Sequence, residues 1–174
     1  MKKLLLIFIF LSSFSCSKSQ DKGSEPWSAI TYNLSGGQIS QGYQNNYSVI
    51  INSDKSCVFV YRFPENDLTR DFTIDDNMLT KLSELIVAAK ILESEITTDP
   101  TYALSADMRS CQIVFKQNDP NLDQPPKVIK VPFNPSDEFK DGLNNLYNFI
   151  ETLIPGETRM DFESKRDEYF NNKK

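Results

Sequence analysis

The sequence predicts an α+β domain, in which a curved antiparallel sheet of four to six strands carries two amphipathic helices on one face. Short runs that alternate apolar and polar residues are separated by turn formers, which is typical of strands. Two longer segments repeat apolar residues at spacings of three and four, the pattern of an amphipathic helix. The chain of 174 residues is within the usual size of one domain and is long enough to bury one core.

The first half of the chain contains three predicted strands, and a short segment before the first helix is a candidate for a fourth. Their sequences are rich in β-branched and aromatic residues, which fit a pleated, half-buried surface. The turn formers Asn52-Ser53-Asp54-Lys55 separate the second strand from the third and predict a hairpin. The predicted strands are Ser28–Leu34, Tyr47–Asn52 and Cys57–Phe63, and the candidate is Arg70–Ile74.

Asp75-Asp76-Asn77 precedes the first predicted helix and supplies side-chain oxygens for its N-cap. A carboxylate pair at Asp75 and Asp76 also suits catalysis or metal binding, but capping already explains both residues. Lys81, Glu84 and Lys90 are expected to stay in solvent. The apolar stripe that we expect to be buried consists of Met78, Leu79, Leu82, Leu85, Ile86 and Ala89.

Two further strands are predicted in the second half. Glu93–Met108 has no clear period and is predicted to be a loop, after which Arg109–Gln117 resumes as a strand. The proline-rich linker Asn118–Pro126 cannot continue a strand ladder, and Val128–Phe133 forms the next strand. The residues predicted to face inward are Cys111, Ile113 and Phe115 in the first of these strands and Ile129, Val131 and Phe133 in the second.

The second helix is predicted to begin with Asn134 as its N-cap and Pro135 at its first position. The acidic side chains of Asp137 and Glu138 then lie in the first turn, where the helix dipole favours them. Pro155-Gly156 is expected to end the helix. Its apolar stripe consists of Phe139, Leu143, Leu146, Tyr147, Ile150 and Leu153.

The order of strands followed by a helix occurs twice along the chain. In each half, a Ser-Cys pair opens a strand, at Ser56 and at Ser110. This hints at a duplicated unit, although two amphipathic strand-helix segments share such a pattern without duplication.

The first 15 residues have the pattern of an export signal. Lys2 and Lys3 form a positive region, Leu4–Leu11 is an apolar run too short to span a bilayer, and small residues follow up to Cys16. We expect residues 1–15 to be a signal peptide, 16–26 a flexible tether, 27–155 a single domain and 156–174 a charged terminal helix or tail.

Ser13-Phe14-Ser15-Cys16 resembles the lipobox of bacterial lipoproteins, in which the cysteine is the first mature residue and carries the lipid. This resemblance implies that Cys16 is lipidated and that the lipid attaches the protein to a membrane. Ser17 lacks the acidic character associated with inner-membrane retention in related lipoproteins, which implies an outer-membrane location. The alternative is an ordinary secretory signal that happens to contain a cysteine.

Composition excludes several classes of function. The chain contains no histidine, which excludes Ser-His-Asp and Cys-His catalysis and histidine metal ligands. Loss of Lys2 and Lys3 with the signal takes the net charge from −5 to −7, so we expect no nucleic-acid partner. Asp119, Asn121 and Asp123 have the spacing of a calcium loop, but its later ligands are missing. We expect neither a metal nor a cofactor.

Cys57 and Cys111 are a candidate disulfide, since an exported protein enters a compartment where disulfides persist. Each cysteine opens a predicted strand, so neighbouring strands would bring the two sulfur atoms together. The alternative is two unpaired thiols on the inner face of the sheet.

The loop Ser35–Tyr47 is a candidate recognition surface. Its glycines, amides and tyrosines resemble in composition an antibody paratope, where tyrosine supplies contact area and small polar residues supply hydrogen bonds. The alternative is a long polar hairpin connection. The residues predicted to bind a partner are Tyr43, Gln44, Asn45 and Tyr47.

The order of elements between Ile30 and Ile154, together with Ser35-Gly36-Gly37, resembles the emfourin-type family of small bacterial metalloprotease inhibitors. The resemblance implies an inhibitory role without catalysis. We therefore expect a lipid-anchored envelope protein that acts as a non-enzymatic binding or inhibitor module, with an envelope protein as a possible partner. The alternatives are a structural or assembly subunit of an outer-membrane complex and, third, an enzyme that uses carboxylates.

Overall fold

The structure is a computed structural model that describes residues 25–36, 46–63, 67–93, 95–99, 108–116 and 125–172. Its strands are β1 (Trp27–Ser35), β2 (Tyr47–Asn52), β3 (Ser56–Arg62), β4 (Asp67–Thr73), β5 (Met108–Phe115) and β6 (Val128–Val131). Its helices are α1 (Asp76–Ala88), α2 (Asp137–Leu153) and α3 (Gly156–Asn171).

The six strands form one open antiparallel sheet in the order β4-β3-β2-β1-β5-β6. The prediction of an α+β fold is therefore confirmed. Four strands precede α1 and two precede α2, so the two halves of the chain differ in strand number. Within the described residues, no helix is long and apolar enough to cross a membrane.

The two faces of the sheet differ because strand side chains alternate in direction. The strand register places Cys57, Ile51, Ile30, Ile113 and Ile129 in one row across five strands. Four of these residues are fully buried and Ile129 is partly buried against the same hydrophobic core. This inner face carries α1, α2 and α3, whose buried apolar residues belong to that core.

The sheet order separates the candidate disulfide cysteines. Cys57 lies on β3 and Cys111 on β5, with β2 and β1 between them, so about 14 Å of sheet separates the two strands. A disulfide requires Cα atoms within about 7 Å of each other. Both thiols are free and buried, and the prediction of a Cys57–Cys111 bridge is wrong.

These buried thiols predict a loss of stability at alkaline pH. Burial raises the pKa of both Cys57 and Cys111 to about 12, from 9.0 for an unperturbed thiol. The unfolded chain therefore releases these protons near pH 9, whereas the folded protein keeps them up to about pH 12. The stabilisation is complete below the unfolded pKa and is lost as pH rises through the folded pKa, by up to about 1.4 kcal/mol per pH unit for each thiol.

Urea unfolding across this alkaline window checks the prediction, with the Cys57→Ala/Cys111→Ala double variant as the control. The free energy of unfolding of the wild-type protein should fall more steeply with pH than that of the variant. Comparing slopes removes the constant cost of the cavities that alanine leaves. Equal slopes would contradict protonated, buried thiols.

Helix α1 follows the prediction closely. Asp75 is its N-cap, and its Oδ1 accepts a hydrogen bond of 2.8 Å from the backbone N–H of Met78. Most of the predicted stripe faces the core, but Met78 is exposed, in contrast to the prediction. The stripe residues that are buried are Leu79, Leu82, Ile86 and Ala89, with Leu85 partly buried.

Helix α2 begins two residues later than predicted. Its N-cap is Ser136, whereas Pro135 forms an isolated β-bridge with Thr98. The Asn134 side chain donates a 3.0 Å hydrogen bond to the carbonyl of Asp99, so it is held away from the helix. All six residues of the predicted α2 stripe are buried, which confirms that part of the prediction.

Pro155-Gly156 ends α2, as predicted, and also begins α3. Helix α3 is highly charged, but Phe162 is buried against the aromatic rings of the sheet. Asp161 adds a 2.6 Å ion pair with Arg70 of β4. The terminal helix is therefore attached to the inner face of the sheet near β2, β3 and β4.

Candidate functional site

A cavity of about 270 Å³ lies beside α2, where the end of the sheet and the chain after β6 meet the helix. We call it the α2 pocket. Four of its lining residues come from α2 at relative positions 0, 3, 4 and 7, which places them on one side of the helix. The lining residues are Arg109, Phe133, Pro135, Lys140, Leu143, Asn144 and Tyr147.

Phe133 lines the pocket because β6 ends two residues before it, at Val131. The chain then turns to pair with residues 97–99, and this leaves Phe133 43% exposed. The prediction that Phe133 faces the core as part of a strand is wrong. Its ring instead forms an apolar wall at the edge of the cavity.

Arg109 occupies an inward position of β5, opposite Leu34 of β1. Its Nη1 donates a 2.9 Å hydrogen bond to Oδ1 of Asn148 and lies 3.8 Å from Oε1 of Glu151. The guanidinium carbon lies 6.0 Å from the centre of the Tyr147 ring, within range of a cation–π contact. A guanidinium has five N–H donors, so these contacts leave donors for a ligand.

Glu151 is fixed from a second side by Tyr32. The Tyr32 hydroxyl donates a hydrogen bond to Oε1 of Glu151, which connects β1 to α2. Burial is the main cause of the raised pKa of Tyr32, and the hydrogen bond to Glu151 adds to it. Tyr32 therefore stays protonated at physiological pH and positions the carboxylate that faces Arg109.

Lys140 supplies the second cation of the pocket. Its Nζ lies 2.6 Å from Oδ1 of Asp137 and 3.5 Å from Oδ2 of Asp99. The hydrogen bond to Asp137 is the main cause of the raised pKa of Lys140, so the ammonium is charged at neutral pH. An ammonium has three donors, and these two partners leave one for a ligand.

Tyr147 is 3% exposed, and its hydroxyl lies close to the Cys111 thiol. Its ring lies 5.3 Å from that of Tyr32, centre to centre. Burial raises the pKa of Tyr147, and the neighbouring Cys111 thiol contributes to the shift.

Most of the residues predicted to bind a partner or a lipid lie outside the described residues, namely Cys16, Tyr43, Gln44 and Asn45. Tyr47 is the first residue of β2, and its ring centre lies 5.2 Å from Phe59 and 6.3 Å from Phe162. Its ring is thus partly buried against the core. The structure does not bring Tyr47 to the α2 pocket, and its role in partner binding stays a prediction.

The α2 pocket is not among the sites that the sequence predicts. One feature of the sequence indicates it. Arg109 is charged, yet it is separated by an even number of residues from the inward-facing Cys111 and Ile113, so it points to the same face of the sheet. The prediction that Tyr147 belongs to the buried stripe of α2 is confirmed, but its contact with Arg109 depends on tertiary packing. Lys140 and Asn144 are polar residues of α2, and no pattern in the sequence distinguishes them from solvent-facing helix residues.

No protein-family model matches the chain, and no curated protein matches it in sequence. In the part of the chain that the structure describes, no group of three or more cysteine or acidic residues is placed to hold a metal ion. The α2 pocket is therefore interpreted from its own chemistry.

Proposed function

We propose that the protein is a non-enzymatic binding module, held at the bacterial cell envelope by a lipid on Cys16. The observation that carries this proposal is the α2 pocket, in which apolar walls surround a few hydrogen-bond donors. Ligand sites in proteins generally have this composition, with polar groups that fix the orientation of a mostly apolar contact.

The chemistry of the pocket supports binding more than catalysis. Arg109, Lys140 and Asn144 supply donors from the pocket wall, and each of the two cations pairs with a carboxylate. Cys111, which lies beside the pocket residue Tyr147, is buried, and burial raises the pKa of its thiol to about 12. A thiol that stays protonated at neutral pH is a poor nucleophile.

The envelope location is supported by the sequence of residues 1–16, with a positive start, an apolar run and the lipobox-like Ser13-Phe14-Ser15-Cys16. We propose that the lipid holds the domain at the outer membrane through the tether 16–26. A single acyl chain binds membranes only weakly, so firm attachment of an acidic domain requires more than one chain. The loop Ser35–Tyr47 is a proposed second contact surface, for an envelope protein.

A fragment panel on the full chain in detergent micelles tests the binding function. Two-dimensional NMR should show that some fragments shift the backbone resonances of the residues that line the α2 pocket. The same fragments should be recovered unchanged after long incubation. Intact mass of the membrane-extracted protein should show a lipid increment that a Cys16→Ala form lacks.

Three outcomes would contradict the proposal. If no fragment shifts the pocket resonances, the α2 pocket is not a binding site. If a fragment is converted to a product, the protein is an enzyme. If the intact masses of the wild-type and Cys16→Ala forms differ only by the substituted side chain, Cys16 carries no lipid.

A further inference from the structure

We propose that the α2 pocket binds a small monocarboxylate with a compact aromatic body. This inference rests on the proposed binding function and specifies the ligand class of the same site. It follows from the volume of the pocket, from the charge and the hydrogen-bond donors of its polar residues, and from the shape of its apolar walls.

The volume of the pocket limits the ligand. Ligand pockets in proteins are about 300–1,000 Å³, so a cavity of about 270 Å³ is at the small end of this range and suits a compact ligand. This excludes a nucleotide or an oligosaccharide as the whole occupant. A single ring with a short acidic side chain has the required size.

The polar residues of the pocket donate hydrogen bonds, so a matching ligand must carry a hydrogen-bond acceptor. Arg109 and Lys140 each keep at least one donor beyond the contacts with their carboxylate partners, and Asn144 contributes an amide. Asp99 and Glu151 pair with these cations without lining the pocket. A ligand carboxylate can therefore accept from the exposed side of the cations, where a charge-assisted bond is about twice as strong as a neutral one.

The charge balance favours one negative charge over two. The two cations face three protein carboxylates, those of Asp99, Asp137 and Glu151. A phosphate dianion would add two more negative charges to a site whose carboxylates already outnumber its cations. A monocarboxylate needs only the spare donors, and Arg109 has the planar fork that suits carboxylate geometry.

The apolar walls suit a flat ring. Phe133, Pro135 and Leu143 surround the donors, and the Tyr147 ring adds a second aromatic wall. Aromatic pairs are favourable at centre distances of about 4.5–7 Å in offset or edge-to-face arrangements, which a small ring can adopt between such walls. The body of the ligand is therefore expected to be aromatic, with its carboxylate toward Arg109 and Lys140.

Phenylacetate is the probe for this inference, with 2-phenylethanol and 2-phenylethylamine as neutral and cationic analogues. Titrations of the full chain in micelles, with empty micelles as the blank, should show about tenfold or tighter binding of phenylacetate than of the alcohol. The amine should bind most weakly. The phenylacetate resonance shifts should map to the α2 pocket.

Three substitutions locate the interaction. Arg109→Gln and Lys140→Gln should each weaken phenylacetate binding about tenfold or more, because each removes a charged donor. Lys81→Gln is the matched control, since Lys81 also pairs with an acidic residue three positions away on a helix but lies outside the pocket. It should leave the affinity unchanged. If Arg109→Gln does not fold, Arg109→Lys keeps the charge, loses the fork and should weaken binding by a smaller factor.

The outcomes separate this inference from the proposed function. If 2-phenylethanol binds in the α2 pocket as tightly as phenylacetate, or if Lys81→Gln weakens binding as much as Lys140→Gln, the ligand class is wrong and the binding function remains. If phenylacetate and every other compound of the fragment panel leave the pocket resonances unchanged, both are overturned.

Discussion

Replacing Gly142 with alanine should destabilise the protein, although alanine is a better helix former than glycine. Gly142 lies where α2 crosses α1, and a Cβ atom built on it would be 2.6 Å from Cα of Ala89 and 3.2 Å from the carbonyl oxygen of Ala88. Both neighbours are backbone atoms, so the helices themselves must move. Overpacking of this kind costs about 1–3 kcal/mol, which exceeds the gain of roughly 0.5–1 kcal/mol in helix propensity.

Gly156→Ala is the matched control for this substitution. Gly156 is the first residue of α3, and a Cβ atom there would meet nothing within 4 Å. Urea unfolding should therefore give a lower midpoint for Gly142→Ala and an equal or higher midpoint for Gly156→Ala. Equal midpoints for the two variants would contradict the close contact of α1 and α2.

Replacing Phe162 with alanine should destabilise the protein more strongly still. The Phe162 ring lies 4.3 Å from that of Tyr61 and 6.0 Å from that of Phe59, centre to centre. The guanidinium carbon of Arg166 lies 5.6 Å from the centre of the Phe162 ring. Phe162 is 7% exposed, and truncation of a buried phenylalanine costs about 3–5 kcal/mol. Much of the attachment of α3 to the sheet depends on this side chain.

Met160→Ala is the control, because Met160 lies two residues away on the same helix and is 71% exposed. Its effect should stay within about 0.5 kcal/mol, as is usual for surface positions. Hydrogen exchange gives a second measurement, in which the α3 amides of Phe162→Ala should lose protection before those of α2. If both variants unfold at the wild-type midpoint, α3 is not held by the aromatic contact.

Much of the fold follows from local patterns in the sequence. The bounds of β2 agree with the prediction, and so do the Asp75 cap and the buried stripe of α2, because each depends on residues close together in the chain. The prediction of Asn134 as the N-cap of α2 is wrong for the opposite reason. Its side chain is engaged by Asp99, which is 35 residues away, and no local pattern reports that contact.

The candidate site was less predictable than the fold. The strand order decides which residues become neighbours, and it places two strands between Cys57 and Cys111. The same order brings Arg109 of β5 to the Tyr147 ring of α2. Long helical side chains such as Lys140 have the same local pattern whether they face solvent or a cavity. Only the tertiary arrangement distinguishes the two.

The central position of β1 has a consequence for the order of folding. β1 pairs with β2, which follows it closely, and with β5, where Ile30 lies opposite Ile113. The strands from β1 to β4 form a meander of short-range pairings, whereas β5 must close a long loop before it contributes. Until β5 arrives, β1 presents a free edge of unpaired backbone groups, which is a template for aggregation. If the predicted signal at residues 1–15 directs export with the N-terminus first, that edge would stay open until residues 108–115 had followed.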